Sequence, residues 1–168
     1  MRVLISALLA FQAAQLVSSL RITWVVENFD YHAEYLFTNP AHQNSHGYIK
    51  FNLWNTAVAD TATCSASSGQ LTDFFYGTQW YPCTLPSTAP AGSAVSFRFN
   101  RPTGELEING TIVCSENQGA SAAFHIEGTT KLTLACADTT ATNPNWTAGT
   151  GEFYSTREVK CFPGSCVA

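Results

Sequence analysis

Cys64-Ser-Ala-Ser-Ser-Gly-Gln-Leu-Thr-Asp-Phe-Phe-Tyr-Gly-Thr-Gln-Trp-Tyr-Pro-Cys83 joins two strand-like ends through a loop that holds Gly69, Gly77 and three consecutive aromatics. A cysteine stands at each end of it. If Cys64 bonds Cys83 the loop is pinned, and closing a loop of this size stabilises a fold by about 3 kcal/mol in the chain-entropy treatment. Trp80 and Tyr81 are then held rigid beside the bridge, as core or as contact surface.

Working outward, Tyr48 to Trp54 alternates strictly, with Ile49, Phe51 and Leu53 on one face and Tyr48, Lys50, Asn52 and Trp54 on the other. That is the pattern of a half-buried strand. Ile22 to Val26 and Phe29 to Phe37 read as two earlier strands, and residues 38–47, with Pro40, Asn44 and Gly47, as a loop. Residues 55–60 turn the chain into a strand over Thr61 to Ala66. Downstream, Val95, Phe97 and Phe99 alternate with polar residues, Arg101-Pro-Thr-Gly104 turns, and Leu106 and Ile108 alternate with Glu105 and Glu107, which predicts a hairpin. Thr111 to Cys114 continues beyond Gly110, residues 115–121 form a polar loop, and Ala122 to Glu127 with Lys131 to Cys136 reads as a second hairpin over Gly128. Residues 137–151 read as a long loop and Phe153 to Lys160 as the last strand before a Cys161 to Cys166 tail. No window has sustained helical spacing. The expectation is a single all-β domain over residues 20–168: a compact, disulfide-stabilised antiparallel barrel or sandwich of about ten short strands.

The first residues, Met1-Arg-Val-Leu-Ile-Ser-Ala-Leu-Leu-Ala-Phe11, place one positive charge ahead of a short apolar run, and small residues follow at Val17-Ser-Ser19. This is a secretory signal peptide pattern over residues 1–19. Gln12 and Gln15 break the run short of a membrane span, which needs about 20 apolar residues. All six cysteines, Cys64, Cys83, Cys114, Cys136, Cys161 and Cys166, lie downstream of it. In a secreted, extracellular chain they are available for three bridges. The formal charge is −4, from 8 basic and 12 acidic residues, and loss of Arg2 with the leader makes it one unit more negative. That balance argues against nucleic acid, whose phosphates require clustered Lys and Arg.

Thr63-Cys-Ser-Ala66, Leu71 and Trp80-Tyr-Pro-Cys83 together resemble the secreted fungal β-barrel family typified by the Alternaria major allergen. Trp24 to Phe29, Gly47 to Asn52 and the Phe97 to Ile108 hairpin follow in a similar order. The resemblance implies a β-barrel with no known catalytic centre and no cofactor. It also implies an allergen-like effector or elicitor, associated with virulence and plant defence, that binds plant thaumatin-like defence proteins or flavonoid-type small ligands. The family's type member is a disulfide-linked dimer through a cysteine near its mature N-terminus. No cysteine precedes Cys64 here, which leaves a monomer or a non-covalent oligomer. The family's second bridge closes a short loop in the C-terminal half, where this chain has Cys114 but Ile126 at the partner's place. Cys136 is a candidate replacement, leaving Cys161 and Cys166 to each other, and a link from Cys114 to the tail is also open.

Candidate chemistry is sparse. His32, His42 and His46 cluster in sequence, but a loop aims no i, i+4 pair, and no acid or cysteine lies between His42 and His46 to complete a metal set, so no metal is expected. His125 and Glu127 share a strand face, and with Arg157 they sketch the acid-base set of a small secreted, ribonuclease-like hydrolase. Such enzymes need a second acid-base group, and no histidine follows His125. Solvent-facing polar alternation is the plainer reading, as it is for Glu105 and Glu107, whose spacing alone sketches a glycosidase pair. Asn109-Gly-Thr and Asn145-Trp-Thr fit the N-glycosylation pattern. Among Trp54, Phe74, Phe75, Tyr76, Trp80 and Tyr81, the loop residues Phe74, Phe75 and Tyr76 are expected to form a binding surface and Trp80 to fill the core.

Overall fold

A computed structural model describes residues 23–55, 58–115 and 121–163. The expected leader over residues 1–19, most of the polar loop after Cys114, and Cys166 lie outside them. The described chain is all-β: β1 Trp24–Asn39, β2 His42–Asn55, β3 Val58–Ser68, β4 Tyr81–Thr84, β5 Ala94–Asn100, β6 Glu105–Ser115, β7 Ser121–Lys131, β8 Leu134–Thr142 and β9 Ser155–Pro163. All pairings are antiparallel, and the strands form one curled half-barrel in the order β7-β6-β5-β4-β3-β2-β1-β9-β8.

The fold class is therefore the expected one, with nine longer strands in place of about ten short ones. Several boundaries differ, among them the long loop expected over 137–151, whose first residues instead extend β8 to Thr142. The two strands expected before residue 38 are one, bent at an irregularity between Glu27 and Asp30 where Asn28 has φ 54°. The loop expected over 38–47 shrinks to a tip at Pro40 and Ala41, because the β1–β2 ladder continues through Leu36–Asn44 and Asn39–His42. The hairpin expected between residues 122 and 136 does not form. β7 pairs with β6 along its whole length and β8 pairs with β9, so the chain crosses from one end of the sheet to the other at Leu132 and Thr133.

The inner face carries the core: Tyr31, Ala33 and Tyr35 of β1, Ile49, Phe51 and Leu53 of β2, Phe97 and Phe99 of β5, and Leu106 and Ile108 of β6 are all buried. The alternation read over Tyr48 to Trp54 is the pleat that places them there. Phe51 meets Phe97 edge-on at 4.9 Å and Phe29 meets Phe99 tilted at 5.4 Å between centroids, while Phe29 and Phe51 stack, arrangements that ring quadrupoles favour. Gly110 does not interrupt β6. A β-carbon there would come within 2.7 Å of the Ala94 carbonyl oxygen, so the close approach of β5 requires a glycine.

The stretch between β3 and β4 folds back into this core. Phe74 and Phe75 are fully buried, 0% and 1% exposed, which corrects their assignment to a contact surface. Phe74 adopts φ 67°, a conformation that costs a non-glycine residue about 1–2 kcal/mol; burying a phenylalanine ring returns a similar or larger amount, about 1.5–3 kcal/mol. The loop's polar backbone is satisfied by the same elements. Tyr31 Oη donates to the Asp73 carbonyl at 3.1 Å, Tyr35 Oη to the Thr72 carbonyl at 2.8 Å, and Ser68 Oγ to the Phe74 carbonyl at 2.5 Å. Tyr76, half-buried, accepts from the N–H groups of Thr72 and Asp73 at 2.6 and 3.0 Å, so its hydroxyl braces the loop from inside.

Two disulfides staple the sheet. Cys64 and Cys83 face each other across β3 and β4 with S–S 2.00 Å. Cys136 and Cys161 face each other across β8 and β9 with S–S 2.11 Å. The second pairing corrects both Cys136 with Cys114 and Cys161 with Cys166: antiparallel register sets the sulfurs of Cys136 and Cys161 opposite each other, while Cys114 lies at the far end of β6 as an exposed free thiol.

Candidate functional site

The loop clamp that buries Phe74 and Phe75 leaves Trp80 outside. Leaving the loop one residue before β4, Trp80 is 40% exposed, the reverse of the core role expected for it. The guanidinium of Arg98 lies over its ring, Cζ 4.8 Å from the centroid. Arg98 sits on the outward side of β5, opposite Glu107 of β6, and donates from Nε and Nη2 to the two Glu107 carboxylate oxygens, each at 2.7 Å. This planar two-bond fork fixes the guanidinium's orientation and raises the Arg98 pKa above its usual value, the hydrogen bonds to Glu107 being the largest cause. Glu107 is thereby accounted for as an ion-pair partner, and Glu105 stands exposed two residues away.

Around this pair an open groove of about 250 Å³ is lined by Trp80, Arg98, Glu107, Asn109, Glu127 and Thr129 among others. Apart from Trp80, the side chains come from β5, β6 and β7 at alternate positions, so one sheet face presents them. Asn109 Nδ2 reaches the Glu127 carboxylate at 3.5 Å, and His125 Nε2 lies 3.2 Å from the same oxygen. The structure thus brings the expected pair His125 and Glu127 together, as side chains 61% and 71% exposed. It does not bring Arg157 to them. Arg157 is held by Asp138 of β8, with three contacts at 2.5, 2.9 and 3.0 Å, and lies over the Tyr35 ring with Cζ 5.1 Å from its centroid. Of the two sequons, Asn145 is exposed in the loop between β8 and β9, whereas Asn109 is half-buried within β6.

The three early histidines part company. His42 and His46 are exposed on β2, and His46 Nε2 lies 3.5 Å from Glu34. His32 is buried on β1 beside Tyr48 and Glu158. Lys160 bonds Glu158 at 3.0 Å, and this contact, ahead of a smaller contribution from His32, holds the Glu158 carboxyl below its usual range. Inside the sheet, burial raises the Tyr31 and Tyr35 phenols above their usual value, and both hydroxyls donate to loop carbonyls.

Sequence reasoning missed Arg98 and misplaced Trp80. The signal for Arg98 is the strand parity that puts it on the face opposite to Phe97 and Phe99, together with the Glu107 partner on the next strand. Compared with known proteins, the chain matches over residues 26–161 the family model described as Alternaria alternata allergen 1. No curated protein and no solved structure matches it.

Proposed function

The chain belongs to the Alternaria alternata allergen 1 family, and on that footing we propose that it is a secreted effector or elicitor that acts by binding, with Trp80 and Arg98 as the anchor of the contact face. The observation that carries this reading is the Arg98 guanidinium held 4.8 Å over the exposed Trp80 ring by Glu107. An exposed tryptophan with a pre-oriented arginine is the residue pair that dominates binding hot spots, since little side-chain freedom is lost when a partner covers it. The surrounding groove is open and small for an enclosing ligand pocket, which usually occupies about 300–1,000 Å³. A protein surface covers it better than a small molecule fills it. The partner class is a plant thaumatin-like defence protein, and a flavonoid-type ligand stacking on Trp80 is the smaller-scale version of the same contact.

The test is a binding titration of the purified mature chain against a purified plant thaumatin-like protein, with a parallel titration of a flavonoid followed by tryptophan fluorescence. Saturable binding in the first arm supports the reading, saturable quenching in the second alone moves it to the small ligand, and no saturation in either contradicts it.

A further inference from the structure

His32 is the buried exception on the outer face of β1, 7% exposed overall with its side chain at 9%. Its two ring nitrogens have different surroundings. Nδ1 meets the hydroxyl of Tyr48, whose ring packs edge-on at 4.8 Å between centroids. Nε2 has no hydrogen-bond partner, although it lies 2.6 Å from Glu158 Oε1 and 3.9 Å from Glu34 Oε1. The 2.6 Å approach is therefore close in distance but wrong in direction for an N–H donor. With Nδ1–H donating to Tyr48, Nε2 is left with a lone pair beside two carboxylates, an arrangement that a shared cation satisfies.

We propose that His32, Glu34 and Glu158 form a divalent-cation site of the zinc class on the outer face of the sheet. Their ligand atoms all lie within 4.8 Å of one another. Ligands about 2.0–2.1 Å from a tetrahedral ion stand roughly 3.4 Å apart, so side-chain movements of about 1 Å bring this set to bonding distance. The architecture explains why they meet. Glu34 is two residues from His32 on the same face of β1, and Glu158 is directly opposite Glu34 on β9. His46, opposite Glu34 on β2 with Nε2 3.5 Å from Glu34 Oε2, stands where a fourth ligand is needed. Imidazole nitrogen with carboxylate oxygen is the donor set of zinc rather than of calcium, which takes six or more oxygens. Tyr48 occupies the supporting position, fixing the ring and tautomer of the ligating histidine through its other nitrogen. Lys160 is the competitor: its ammonium lies 3.0 Å from the same Glu158 oxygen, but its side chain is half-exposed and free to swing into solvent.

The test is calorimetric titration of Zn²⁺ into the chelator-treated full chain, with a thermal melt recorded at each ratio. The expected result is one saturable equivalent that raises Tm, with Ca²⁺ binding at least about tenfold more weakly. Glu158→Gln, still folded by circular dichroism, is expected to abolish that equivalent. Tyr48→Phe is expected to weaken it by roughly tenfold. Lys160→Met is expected to tighten it, whereas a site that is only a salt-bridge cluster gains nothing from that change. No saturable equivalent overturns the proposal. So does an equivalent that survives Glu158→Gln but is lost in His125→Ala or Cys114→Ser, which places the zinc on the exposed pair or the free thiol, and so does equal affinity for Ca²⁺.

Discussion

A β-carbon on Gly47 would stand 2.7 Å from a ring carbon of Phe74, so the glycine of β2 and the buried ring of the loop occupy adjoining space with no room for a methyl group. The loop between β3 and β4 is seated by that fit. Gly47→Ala forces the ring or the strand to move, and overpacking of this kind costs about 1–3 kcal/mol. Urea unfolding of the variant is expected to show a lower midpoint with an unchanged slope; a midpoint equal to that of the parent means the Phe74 ring does not sit against β2.

The bridges should be separable and comparable in worth. Replacing Cys64 and Cys83 together by alanine removes a loop constraint of about 3 kcal/mol, and replacing Cys136 and Cys161 removes about the same, since their sequence separations of 19 and 25 are similar. Peptide mapping without reduction checks the connectivity first. A Cys114–Cys136 peptide contradicts the β8–β9 register on which the second bridge rests.

Acid should weaken the β8–β9 edge. Hydrogen bonds from Arg157 hold the Asp138 carboxyl below its usual value. A carboxyl whose pKa is lower folded than unfolded stabilises the fold above its unfolded pKa, about 4, and loses that contribution as pH falls through the folded value. The Asp138→Asn variant should therefore melt slightly below the parent at pH 6, with the gap closing as pH falls through the lowered folded value. A gap that stays constant across this range shows that the ion pair is not its source.

The exposed pair His125 and Glu127 is expected to be catalytically idle. Both side chains face solvent, and the arginine that the ribonuclease-like arrangement requires is engaged with Asp138. RNA turnover by the mature chain is expected at the blank rate, unchanged in His125→Ala. Turnover that is above blank in the parent and lost in that variant restores the hydrolase reading.

Much of the scaffold was legible because strand parity is a strong signal: Ile49, Phe51, Leu53, Phe97, Phe99, Leu106 and Ile108 were all placed on buried faces from alternation alone. Strand partners were not. Gly128 looked like a hairpin turn, yet it lies within β7 opposite Ile108, because a glycine in a strand serves close approach as readily as a turn. The three aromatics at Phe74 to Tyr76 read as surface because loops usually are. Phe74 and Phe75 are buried and Tyr76 half-buried, because Tyr31 and Tyr35, distant in sequence, supply hydroxyl donors that satisfy the loop's carbonyls. Trp80 failed in the opposite sense for the same reason, since nothing local says that Arg98 and Glu107 will hold a charge over its outer side. His32, Glu34 and Glu158 are united only by the β1–β9 register, which spacing along the chain cannot reveal.

The pair Trp80 and Arg98 is the proposed binding anchor, and the most direct measurement is the dissociation constant of a purified plant thaumatin-like protein for the parent and for Trp80→Ala. Trp80 packs outside the core, so the variant is expected to fold with an unchanged melting temperature. Loss of a hot-spot tryptophan costs about 2 kcal/mol or more, a weakening of roughly thirtyfold. That weakening is the predicted result. Equal dissociation constants for the two proteins would contradict it and place the contact elsewhere on the sheet.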